Sequence, residues 1–257
     1  MGGKVRASAA VDESPQTAAA VQAALAEWAD AGDAEHLRRF FKTGPGEYGE
    51  GDVFIGVRVP QTRGVAKRFA GLPLSEVDLL LDSEVHEHRL AGLVILNAAM
   101  ARAGKPRGYD AAARERIVEL YLAAVRRGRV NNWDLVDISA ENVLGPWLLD
   151  RPRELLFQLA HRDSLWERRV ALLSTFAFIK AGDASTTLEL CELLLGDRRD
   201  LIQKAVGWML REAGKRVDRG LLTGFLDRHA AEMGRTALSY ATEHLEPEVR
   251  QHYRDMR

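Results

Sequence analysis

The stretch VNNWDLVD (130–137) places Trp133 and Asp137 four positions apart, just over one helical turn, so an indole and a carboxylate share a helix face. Leu135, Val136 and Ile138 surround that carboxylate with aliphatic groups. An acid in such a place has two uses. It can bond a neighbouring helix terminus, or it can stabilise positive charge beside an aromatic face. Taken alone, Trp133 reads as a core anchor and Asn132 as a helix cap. Other chemistry is scarce: the sequence contains no GxSxG, Walker or HExxH signature, and GEYGEG (46–51) has the wrong glycine spacing for a dinucleotide fingerprint. His86 and His88 flank Glu87 at i,i+2, which sends them to different sides of a helix, so they read as surface residues rather than metal ligands. The single Cys191, in LELCELLL, reads as a small core residue. No metal or nucleotide cofactor is indicated.

The elements that must carry these residues are helical. Segments 85–103, 110–128 and 164–181 repeat apolar residues at three- and four-residue spacing, and alanine and leucine favour helix throughout. Asp110, Ser164 and Asp218 stand where N-caps belong, and Gly104, Gly128 and Gly182 where helices should stop. Only GEGDVFIGVRVP (49–60) suggests extended chain, and its Gly and Pro content favours a loop. The expected class is all-α. EHRLAGLVIL (87–96), RRVALLSTFA (168–177) and QKAVGWMLRE (203–212) share a basic residue (Arg89, Arg169, Lys204) followed by a small or aliphatic helix. The first spacing is about twice a HEAT-like period of ~40 residues, and Trp133 begins the helix that fills the gap. Stacked helix pairs of this kind form a curved solenoid with a concave face suited to gripping an extended partner.

Composition fits a soluble globular protein: 257 residues, 46% hydrophobic and 28% charged, enough chain for a sizeable core. One cysteine excludes an internal disulfide and suits a reducing cytosol, so a cytoplasmic location is expected. No apolar run approaches a membrane span, and residues 1–14 read as a disordered leader ahead of one solenoid domain over 15–257. Net charge is −1 but uneven: residues 61–130 carry +4 and 201–257 carry +2, against −3 and −4 for the other segments. A basic surface would have to be assembled from two separate parts of the chain.

FIGVRVPQTRGVAKRF (54–69), VNNWDLVDISAENVLGPWL (130–148), LWERRVALL (165–173) and IQKAVGWMLRE (202–212) together resemble the AlkD-type DNA alkylation repair family, over roughly residues 15 to 255. Those enzymes are HEAT-like-repeat DNA glycosylases. The resemblance implies excision of cationic N3- and N7-alkylated purines from duplex DNA, with the damaged base still stacked. It maps the family's catalytic aspartate onto Asp137 and its two aromatics onto Trp133 and Trp208. Its phosphate-holding arginine falls on Arg169, with adjacent Arg168 as the alternative. Trp147 and Trp166 are left as core. A monomer acting on double-stranded DNA is implied, with Arg58, Arg63, Lys67, Arg68, Lys204 and Arg211 expected to line one groove and contact phosphates. The competing expectation is a non-catalytic HEAT scaffold that binds protein or structured nucleic acid on the same concave face.

Overall fold

In a computed structural model of the chain, residues 15–256 are described; the expected leader, 1–14, lies outside them. The described residues are helical and carry one isolated bridge, parallel, between Val53 and Val85. At the N-terminus stand α1 (Ala18–Ala26) and α2 (Ala31–Phe40), then α3 (Val59–Arg68) and α4 (Leu74–Leu81). Next come α5 (His86–Ala103), α6 (Ala111–Arg126) and α7 (Trp133–Leu148), then α8 (Glu154–Ala160), α9 (Leu165–Ser174) and α10 (Phe176–Lys180). The remaining elements are α11 (Ser185–Leu193), α12 (Asp200–Arg216), α13 (Arg219–His229), α14 (Arg235–Ala241) and α15 (Pro247–Asp255).

One row of helices packs α5 on α7, α7 on α9, α9 on α12 and α12 on α14. A second row backs it, with α4 and α6 against α5, α8 against α9, and α11 and α13 against α12. This two-layer stacking is the HEAT-like solenoid, and the first row supplies its concave face. A continuous aliphatic core runs between the layers, from Val21 and Leu25 through Leu93, Val143 and Leu172 to Leu210 and Leu226. A separate small cluster of Ala34, Phe41 and Phe54, with Leu37 and Trp133 against it, joins the N-terminal helices to the start of α7. No described helix is long and apolar enough to cross a membrane.

The caps act where the sequence puts them: Asp110, Ser164 and Asp218 accept from the N–H groups of Ala113, Glu167 and Gly220. One expectation is revised. The helix anticipated over 164–181 divides into α9 and α10 at Thr175. There the Ser174 and Thr175 hydroxyls turn back to the carbonyls of Val170 and Leu172, a bond that competes with the helical ladder and bends it. The bend lets α10 seat on Gly145 of α7, where any side chain would overlap the Cβ of Ala177.

Of the 49–60 segment, residues 49–51 are turn and 52–58 run without helix to the start of α3, where Pro60 falls in the first turn, a position a proline tolerates well. It is fixed from an unexpected side. Glu87, fully buried on α5, accepts from the backbone N–H groups of Ile55, Gly56 and Val57 at 2.8–3.2 Å.

Candidate functional site

The geometry follows from register. Trp133, Leu165 and Asp200 are the first residues of α7, α9 and α12, and the fifth residues are Asp137, Arg169 and Lys204. Neighbouring helices of a solenoid set equivalent positions side by side, so an aspartate, an arginine and a lysine 32 and 35 places apart in sequence meet on one face. They line an open cavity of about 600 Å³. Trp208 and Tyr240 extend its wall along α12 and α14, and Phe40, Lys42 and Tyr48 close it from the N-terminal side.

Asp137 and Arg169 form a two-pronged ion pair, Arg169 Nε to Oδ1 at 2.9 Å and Nη2 to Oδ2 at 3.0 Å. Arg169 Nη1 donates to the Leu201 carbonyl at 2.5 Å, so the guanidinium ties α7, α9 and α12 together. The Asp137 side chain is 21% exposed, and its opening faces the cavity. Burial pushes its pKa up; Arg169 pulls the other way, and Asp134 adds to the rise, leaving it at about 6. This carboxylate is ionised at neutral pH with little to spare.

Trp133 is half-buried, stacked on Phe41 with centroids 5.3 Å apart and edge-on to the 55%-exposed Phe40 at 6.0 Å. Trp208, half-buried as well, leans on Phe176 at 5.9 Å. The adjacent Gly207 makes room for a neighbouring helix. A Cβ there would overlap the Ala237 carbonyl and Tyr240 Cβ, so the glycine admits α14 rather than a ligand.

Several expectations change at this point. Arg169, not Arg168, reaches the cleft; Arg168 pairs with Asp197 at 2.9 Å. Arg169 is only 4% exposed and is spent on Asp137 and Leu201, so it is not an open phosphate hook. Of the basic residues expected in one groove, only Lys204 lines the cavity, paired with Asp200 at 2.7 Å. Arg58 pairs with Asp33, and Arg211 is taken up by Glu243 and Glu212. Arg63, Lys67 and Arg68 are exposed on α3, outside the cavity wall. Sequence reports a charge but not the carboxylates that folding brings to it. Trp147 and Trp166 are half-buried against the core, with Arg151 lying over Trp147 and Tyr48 edge-on to Trp166.

His86 reverses its expectation most fully. It is buried, with Asp52 on Nδ1 at 3.0 Å and Asp134 on Nε2 at 2.9 Å. Burial opposes its charge, yet Asp134 and Asp52 together raise its pKa to about 9. His88 is half-buried and bonded to Ser83. Lys42, Tyr48, Phe40, Arg199 and Tyr240 were missed as site residues. The sequence signal for Phe40, Lys42 and Tyr48 is the aromatic and basic content of FFKTGPGEYGEG (40–51); Arg199 and Tyr240 carry no such local signal.

Comparison with known proteins follows the same line. The family described as DNA alkylation repair enzyme matches residues 21–245. A solved structure, a predicted DNA alkylation repair enzyme from Enterococcus faecalis, superposes with a TM-score of 0.67 at 18% identity, over 85% of this chain and 97% of that one. At that identity the likeness establishes the fold. No curated protein matches the chain.

Proposed function

The chain belongs to the DNA alkylation repair enzyme family, which assigns it a part in repairing alkylated DNA; from that premise we propose that it is a DNA glycosylase. In this reading it hydrolyses the N-glycosidic bond of cationic N3- and N7-alkylated purines in duplex DNA. The observation that carries the reading is Asp137, opening onto the cleft in the span between Trp133 and Trp208. Arg169 engages both of its oxygens, and the side chain still keeps 21% of its surface exposed toward the cleft.

Cleavage builds positive charge on the sugar as it becomes oxocarbenium-like. An ionised Asp137, oriented by Arg169, stabilises that charge and positions the attacking water. The leaving base is already cationic, so it departs neutral and needs no general acid. The faces of Trp133 and Trp208 attract the cationic nucleotide, each by about 0.5–2 kcal/mol. The resemblance to AlkD-type enzymes implies that the base stays stacked rather than flipped, and the reading keeps that feature.

The test is release of 7-methylguanine or 3-methyladenine from alkylated duplex DNA, with and without added metal. Asp137→Asn keeps the shape and removes the charge, and should slow single-turnover excision on the order of 10²–10³-fold. An unchanged rate would exclude Asp137 as the stabilising carboxylate. Lesions that persist under every condition would favour the scaffold.

A further inference from the structure

Two carboxylates face the two nitrogens of one buried ring. The His86 side chain is 2% exposed, held by Asp52 Oδ2 and Asp134 Oδ2. A neutral imidazole has a single N–H and would turn a lone pair on one of these acids, so the arrangement calls for the doubly protonated ring. The remaining charges around it are accounted for. Arg89, also on α5, donates to Asp52 Oδ1 at 2.5 Å, and Asn132 at the head of α7 donates to Asp52 Oδ2 at 3.0 Å. Glu87 is engaged by the 55–57 backbone, and His88, whose pKa burial lowers, bonds Ser83. From α7 and α9 come Asp137 and Arg169.

Among the described residues Asp134 pairs with no other cation, and it stands one turn before Asp137 on the same helix, close enough to raise the Asp137 pKa. The ring also stacks on Phe54 at 4.5 Å and tilts against Phe41 at 5.1 Å, and Phe41 carries Trp133.

We propose that His86 is a positioning residue for the cleft. Its imidazolium balances Asp134 and so governs how readily Asp137 ionises, while the Phe41 contact braces Trp133. The charge coupling is a property of the folded protein by itself. Its bearing on catalysis rests on the glycosylase reading above.

The Asp137 carboxyl can be followed directly by carbon-detected NMR titration in the full chain. In His86→Gln, Asp134 loses its counter-charge, and the Asp137 midpoint should rise by about one pH unit. In Asp134→Asn the neighbouring negative charge is gone, and the midpoint should fall by a similar amount. The second variant keeps the test open should the first fail to fold. Midpoints that stay at the wild-type value in the folded variants would overturn the proposal, whatever the enzyme assay shows. If the midpoints move as expected but the acid limb of the excision profile does not follow, the coupling stands and the catalytic reading of Asp137 falls.

Discussion

Asp52 and Asp137 each face an arginine, and they end in opposite states. Asp52, with a side chain 2% exposed, is held by His86, Arg89 and Asn132. Burial alone would raise its pKa, but the His86 hydrogen bond and the Arg89 charge more than reverse this and keep it low. Asp137 is more open, yet among the described residues it pairs with Arg169 alone and Asp134 stands nearby, so burial prevails and its pKa rises to about 6. The difference lies in the number of donors rather than in depth. A carboxylate met on all sides joins parts of the fold. One met on a single side keeps lone pairs, and charge, to offer a substrate.

Exchanging each acid for its amide should break the symmetry most visibly. Asp52→Asn leaves His86 and Arg89 with too little counter-charge and should cost about 3–5 kcal/mol of stability in denaturant melts. Asp137→Asn relieves the burial cost of the charge but keeps only one of the two Arg169 bonds, and should cost about 1–2 kcal/mol, less than Asp52→Asn. Equal destabilisation of both would erase the distinction.

The two sites also differ in pH. Folding raises the His86 pKa to about 9, so the stability it contributes is complete below its unfolded pKa of about 6.5. That contribution is lost as pH climbs through 9, a loss of at most about 3 kcal/mol. Excision should instead weaken on acidification, its kcat/KM falling with a midpoint near 6 as Asp137 takes up a proton. Melting temperatures and rates collected across pH 5–10 would separate these two windows.

Trp133→Ala should be milder, about 1–2 kcal/mol in stability against the ~3–5 of a core aromatic, because one face is open. Its excision rate should fall much further than its folded fraction. The least effect is expected from Arg63→Ala with Lys67→Ala on α3, away from the cavity. If these exposed cations contact flanking phosphates, the slope of log affinity against log salt drops by about two, for damaged and undamaged duplex alike. An unaltered slope would make α3 a solvated face.

The sequence determined the helices, their caps and the repeat, since spacing, propensity and capping chemistry are local. Asn132, Asp110, Ser164 and Asp218 cap as their positions require. The repeat register also places Asp137, Arg169 and Lys204 at the same step of successive helices, so short motifs read in order bring these residues to one face. The tertiary structure decided which charges cancel. It turned Arg169 inward onto Asp137, gave Arg211 to Glu243, and buried His86 between acids 34 residues before it and 48 residues after it. A pattern of residue types carries no record of these pairings, because the energy of a charge depends on desolvation and on partners that arrive only when distant segments pack.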